Sequence, residues 1–328
     1  MQQKIYRNTF KGCRSLKYLS IPFSVLSIDD CACQDCTSLT AVSMGSNLKV
    51  IGTSAFCGDS NLSSVSRLNG DNVRDGSDSP YTFDIVGNYA FAGTGLVSAN
   101  LALRSSAIQT FWGDGCFQDC KQLQYVHFLS ANYMSRNMFK GCTSLVSVDY
   151  DVSMMAYTYP GIFDGCTSLK TVNMPAQLLF MPEGTFRGCN NLRSATFNTY
   201  GANSGIDEIQ KDAYYGTRNL TALEFPQSID SLDELDPECF RGATGLDIVK
   251  FHGIGADQVS VETKYDIPAA NYDIKMNEWY TFEEPYYSLF STYDSYSQSG
   301  IDTDSGDYIS EADYNKEVAE AAKNYTTL

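Results

Sequence analysis

The residues of this chain with the clearest capacity for chemistry are its 11 cysteines and 2 histidines. Thiols can pair as disulfides, bind zinc as thiolates or act as nucleophiles, and spacing decides between these. Cys33-Gln34-Asp35-Cys36, with Cys31 beside it, has the spacing of half a zinc site, but no second Cys-x-x-Cys pair completes a tetrahedral set. An odd count in a chain of 328 residues also argues against the disulfide framework of small secreted scaffolds. His127 and His252 stand apart in sequence with no motif around either, whereas a Ser–His or Cys–His catalytic pair needs hydrogen-bond contact. Neither a glycine-rich phosphate loop nor a zincin helix motif occurs. No catalytic residue is assigned, and the expected class is not an enzyme.

Near the C-terminus, Asp302-Thr303-Asp304-Ser305-Gly306-Asp307 and the residues up to Asp313 are similar to a calcium loop. Asp302, Asp304 and Asp313 stand at its first, third and twelfth positions and Ile309 at its eighth. Gly306 and Asp307 are exchanged relative to that pattern, where the sixth position needs the positive φ that glycine supplies. An acidic turn capping a helix therefore stands as the reading preferred to calcium, and no other cofactor is expected. Ser310 followed by Glu311 and Asp313, then YNKEVAEAAKNY, predicts the N-cap and body of that helix.

The cysteine spacing itself reveals the elements. Six cysteines lie three residues after an aromatic, or its substitute, and three before a leucine: FKGCRSL, CQDCTSL, FQDCKQL, FKGCTSL, FDGCTSL and FRGCNNL. With that aromatic as anchor, the units fall at Phe10, Cys33 in its place, Phe56, Phe91, Phe117, Phe139, Phe163, Phe186, Tyr214 and Phe240. This makes about ten units with a period near 23 residues, lengthened in places by insertions. Each unit continues as L-x-x-V-x-I, whose last positions alternate apolar and polar, the period of a short strand with one buried face. Another apolar position precedes the anchor by five residues at Ile5, Ile28, Ile51, Val86, Trp112, Met134, Met181, Ile209 and Leu235, with Thr158 the exception, and marks the return side of a coil. One such unit is too small to offset its own ordering entropy, so neighbours must stack and share the core.

The motif F-x-G-C-x-S-L followed by x-x-V-x-I-P closely resembles the BspA-like leucine-rich repeat family. The best copies are FKGCTSLVSV from Phe139 and FDGCTSLKTVNMP from Phe163. The resemblance implies a mainly β solenoid, a right-handed leucine-rich repeat coil with one short strand per unit, over residues 1–253. It also implies an extracellular or cell-surface adhesin, as these proteins occur on anaerobic bacteria and some parasitic protists. Departures are Cys33 at the anchor and Asp59, Thr94, Thr217 and Ala243 at the cysteine position. In this register the repeated cysteines form one column, read as small buried thiols filling a turn. The histidines fall five units apart, roughly 24 Å at strand spacing, too far to share a site.

The residues flanking the buried Val of each strand point outwards, and 11 of those 20 are Ser, Thr or Asn. Tyr18, Tyr125, His127, Asp149 and Asn173 are the candidate ligand-facing positions on this flat, weakly charged face. Regular threonine rows of ice-binding type are missing. A long insertion, 69–84, is rich in Gly, Asp and Ser and predicts a loop out of the coil.

Beyond residue 253 the repeat stops. Residues 255–328 carry 15 acidic and 4 basic residues and 10 of the 22 tyrosines, so most of the net charge of −16 resides there. Residues 254–328 are read as an acidic, Tyr-rich cap or subdomain for the last coil. That net charge argues against a phosphate-backbone binder. No run of apolar residues is long enough to insert in a membrane, and the first ten residues hold no export-type apolar stretch. The expected function is binding or adhesion to a host or cell-surface protein or glycan, with a scaffold that self-associates through solenoid ends as the alternative.

Overall fold

The computed structural model describes residues 4–68, 83–102, 111–130, 133–150, 157–174, 178, 180–197, 208–225, 236, 238–246, 248–251, 272–275, 299–301 and 308–310. By its internal contacts the chain divides into a unit Met1–Phe282 and a unit Glu283–Leu328.

In the first unit the repeat folds as a parallel β-solenoid. The L-x-x-V-x-I segments form the strands Tyr18–Ile21, Ala41–Met44 and Ser64–Val65 in one parallel sheet. Ser98–Ala102, Tyr125–Ser130, Ser147–Tyr150, Thr171–Met174 and Ser194–Phe197 form a five-stranded one. Ala222–Phe225 and Ile248–Phe251 pair in parallel, and Tyr272–Lys275 joins the latter antiparallel. Register is set by the repeat: Ala99, Val126, Val148, Val172 and Ala195 are successive partners, and all are buried. A slip of one residue would turn this apolar column into solvent.

The return side carries a second sheet that the sequence pattern does not disclose. Its strands are two residues long: Lys4–Ile5, Ser27–Ile28, Val50–Ile51, Ile85–Val86 and Phe111–Trp112 hydrogen-bond in order. Tyr133–Met134 pairs with Tyr157–Thr158, and Phe180–Met181 with Glu208–Ile209. Such pairs are too short to show an alternation. The apolar marker ending each is buried from Ile28 to Ile209, and Thr158 is buried with them, its hydroxyl donating to the Phe180 carbonyl at 3.4 Å. Leu235 lies outside the described residues.

Between the two strands of a coil the chain turns through an arc centred on the anchor. The N–H groups of the anchor and of the residues two before and two after it all donate to the next coil. Asn137 bonds the Pro160 carbonyl at 3.0 Å, Phe139 that of Ile162 at 2.9 Å, and Gly141 that of Asp164 at 2.7 Å. Pointing alternate amides the same way requires left-handed residues between right-handed ones. Gly141 accordingly has φ 74°, and Asp35 and Asp119 hold the same place at 61° and 56°. Aspartate is among the few non-glycine residues that tolerate this region.

These arcs bring the anchors into a continuous ring stack. Phe56, Phe91, Phe117, Phe139, Phe163 and Phe186 follow one another with centroids 5.4–5.8 Å apart and planes 5–13° from parallel. Tyr214 and Phe240 extend it at 5.3 and 5.5 Å. Cys33 ends the stack on the other side, leaving Phe10 beyond it and only partly buried. The insertion after Leu68 returns to the core at Phe83, which is buried edge-on to Trp112 at 6.4 Å and under the Arg67 guanidinium at 4.1 Å.

In the second unit the described strands are Ser299–Ile301 and Tyr308–Ser310, paired antiparallel. The helix expected after Ser310 lies outside the described residues. No helix among them is long and apolar enough to cross a membrane.

Replacing Phe163 by Ala removes a ring stacked on both faces and should lower stability by about 3–5 kcal/mol. Phe10→Ala, on a half-buried ring, should cost much less. Urea denaturation of both variants checks this, and equal losses would show that the stack does not hold the coils together.

Candidate functional site

The five-stranded sheet brings together four of the five expected ligand-facing residues. Tyr125 and His127 lie on one strand, with Ser147 and Asp149 their respective partners on the next and Ser98 and Asn100 on the previous one. Asn173 follows one strand further and partners Thr196, whose hydroxyl lies 3.2 Å from the Asn173 Oδ1 and donates to it. Tyr125 is 53% exposed, Asp149 and Asn173 are exposed, and His127 is half-buried between its neighbours. Tyr18 is 72% exposed but stands on the other, three-stranded sheet. Asp302, Asp304, Asp313 and His252 lie outside the described residues. Adjacent positions in a row are about 4.8 Å apart, the spacing of paired strands.

This surface is held rigid from beneath. Val126, Phe128, Val148, Val172 and Met174 alternate with the exposed residues and are buried. Phe128 meets Phe139 edge-to-face at 6.0 Å, tying the sheet to the ring stack. The outward rows of the five strands contain neither Lys nor Arg.

The arc side is different in kind. Asp164 bridges Lys140 at 3.3 Å and Arg187 at 2.8 Å, Arg187 reaches Asp212 at 3.8 Å, and Arg241 contacts Asp212 and Glu238 at 3.5 and 3.6 Å. These charges answer one another along successive coils. Exposed pairs of this kind contribute little individually.

The cysteines have structural work. All eleven are free thiols. In the repeated column each thiol after Cys13 donates to the anchor carbonyl of the preceding coil: Cys36 to Phe10 at 3.0 Å, and Cys120, Cys142, Cys166 and Cys189 to Phe91, Phe117, Phe139 and Phe163 at 3.1 Å each. Burial, with the nearby Asp59 carboxylate adding to it, pushes the Cys36 thiol up to about 11, so it stays protonated and able to donate. The expectation of a wholly buried column fails at Cys13, which is exposed. Cys33 and Cys36 serve different columns, one the ring stack and the other the thiol ladder. Among the described residues no group of three or more metal-binding side chains is placed to hold an ion.

Asp59 occupies a thiol position and is buried. Its Oδ1 accepts the Cys36 N–H at 2.7 Å, while its buried Oδ2 meets no hydrogen-bond partner among the described residues. A thiol here would donate to the Cys33 carbonyl, and a protonated carboxyl can do the same. Burial raises this carboxyl to about 8; the Cys36 N–H opposes the rise and Asp35 adds to it. Sequence alone shows Asp59 as a departure from the motif; its protonation follows only from burial.

Stacked parallel strands, a ring stack and an outward polar sheet define a leucine-rich-repeat solenoid that offers a surface built from many coils. The chain belongs to the BspA-type leucine-rich repeat family: the model of the BspA type leucine rich repeat region, in 6 copies, matches residues 3–111, 84–203 and 110–247. Among solved structures, a leucine rich cell surface protein from Faecalibacterium prausnitzii is 20% identical, over 78% of this chain and 84% of that one, with a TM-score of 0.37. A leucine-rich repeat protein from Eubacterium ventriosum is 19% identical, over 63% and 60%, at 0.46. The leucine rich repeat protein of T. pallidum is 20% identical, over 62% and 77%, at 0.39. No curated protein matches.

Two outcomes follow for the ladder. A thiol reagent at neutral pH should label Cys13 rapidly in the folded protein, with the nine buried cysteines reacting only in denaturant; rapid labelling of all would contradict the ladder. For Asp59, the folded state keeps a proton that the unfolded chain releases near pH 4. The contribution of Asp59 to stability therefore falls as pH rises from about 4 towards 8, by at most about 1.4 kcal/mol per pH unit, and then levels off. Asp59→Asn keeps the acceptor, supplies a donor and does not titrate. Its stability relative to wild type should increase between pH 5 and pH 8, and a difference independent of pH in paired denaturation series would refute the protonated carboxyl.

Proposed function

We propose that the chain is a non-enzymatic binding or adhesion protein of the cell surface or the extracellular space, holding a protein or glycan partner against the outward face of its five-stranded sheet. The observation that carries this is the rigid, in-register set of Tyr125, His127, Asp149 and Asn173 on adjoining strands, with apolar residues buried directly beneath. Membership of the BspA-type family supports the surface location. The non-enzymatic reading is supported by the uses found for the reactive groups: column thiols serve as backbone donors, and His127 has Asn100 and Asp149 as its strand partners.

The folded protein, immobilised and exposed to matrix proteins and cell-surface glycans, should retain a partner, and Tyr125→Ala should weaken retention by about 2 kcal/mol if the ring is a central anchor. Lys121→Ala, on an exposed turn residue, should leave it unchanged. Retention unaffected by Tyr125→Ala would remove the sheet as the binding face.

A second reading, a scaffold that associates with further copies of itself, is favoured by exposed aromatic rings on the first coil. Tyr18 and Phe23 are 72% and 69% exposed there. Sedimentation that shifts with concentration, and no longer does so in Phe23→Ser, would support association at that coil.

A further inference from the structure

We propose that the partner of this sheet is a neutral, hydroxyl-rich glycan chain lying across the strands, parallel to the axis along which the coils stack. The proposal rests on the reading of the sheet as the binding face and adds the chemical class of ligand.

Three observations point to it. Asn100, His127 and Asp149 are register partners on three strands and Asn173 and Thr196 on the next two, and the pairing of Val148 with Val172 brings the two sets into one row of hydrogen-bonding side chains. Their spacing is the strand spacing of about 4.8 Å. In an extended chain of equatorially linked pyranose rings each sugar is similar in length to this spacing and successive sugars turn opposite edges, so every second strand meets the same set of hydroxyls. Beside this row Tyr125 offers a half-exposed ring. Its face is apolar enough to stack on the C–H side of a pyranose, while the rest of its row, Ser and Thr, adds hydroxyls. Third, the row is preorganised: the residues are short, stand on paired strands and in one case bond each other, Thr196 to Asn173. Little side-chain entropy is lost when a ligand orders them.

The same face suits other macromolecules poorly. The core of a protein interface is built on desolvated aromatic, Met and Arg anchors, and the outward rows of these five strands hold one large aromatic and no Arg or aliphatic residue. A polyanion, whether nucleic acid or an acidic glycan, requires cationic groups; here the rows lack Lys and Arg, and Asp149 is exposed.

The test is isothermal titration of the full chain with three neutral linear hexaoses, β-1,4-linked in glucose, mannose and N-acetylglucosamine, and with a hyaluronan hexamer as the acidic comparator. At least one neutral hexaose should bind, more tightly than its trimer and than the hyaluronan hexamer. Asn173→Ala and Tyr125→Ala should each lower the affinity by an order of magnitude or more, and Lys121→Ala should leave it unchanged, with circular dichroism confirming that every variant is folded. Absence of heat with all three neutral hexaoses at millimolar concentration overturns the proposal, as does binding indifferent to Tyr125. If a protein partner is retained through Tyr125 while the hexaoses fail, the glycan is wrong and the sheet remains the binding face. If nothing depends on Tyr125, both readings fall.

Discussion

Each coil turns its corner by aiming three backbone N–H groups at the carbonyls of the next coil, and the rest of the molecule depends on that turn. Aiming alternate amides in one direction forces left-handed residues on both sides of the anchor, at Asn137 and Gly141 about Phe139, for example. It also places each anchor directly over the next, so that rings at 5.4–5.8 Å are a consequence of backbone geometry as much as of their own attraction. The column thiols then sit beside carbonyls that already accept one bond: the Phe139 carbonyl takes both the Cys142 N–H at 3.0 Å and the Cys166 thiol at 3.1 Å. A carbonyl with two lone pairs is thereby fully used in a place water does not reach.

The arc and the long sheet divide the labour. Along the arc, charges pair with charges and polar backbone with polar backbone, leaving few unanswered groups to attract a ligand. On the sheet, the side chains of the outer face project from strands whose backbone is already satisfied. They stand over a buried apolar layer that includes Val126, Phe128, Val148, Val172 and Met174. The face is built by repetition of short polar side chains and has a low density of charge.

The sequence made the anchors, the long strands and their outward residues legible, because F-x-G-C and L-x-x-V-x-I recur with a fixed offset. The thiol column was visible as a column, but not as a hydrogen-bond ladder, since a donor's partner belongs to another coil. The return-side strands escaped because two residues carry no alternation. The left-handed site before the anchor was missed because its occupants, Asn8, Cys31, Ser54, Tyr89, Asn137 and Asp212 among them, share a conformation without sharing a chemistry. Asp59 looked like a lost cysteine, and only its burial shows that a protonated acid can stand in for one. Phe83 was hidden in the expected loop 69–84, yet it belongs to the core. Tyr18 fitted the pattern of Tyr125, but its strand belongs to the three-stranded sheet and that of Tyr125 to the five-stranded one.

The one-way aim of the arc amides gives every coil two unlike sides, one presenting acceptors and the other donors. Coils that share the motif present the same two sides, so duplication or deletion of whole units needs no new arc interface. Within the arc the same asymmetry works against a two-fold axis between matching sides, since donors would face donors. Gene-level copy number, rather than point substitution, is thus the cheapest route by which such a protein changes the extent of its sheet.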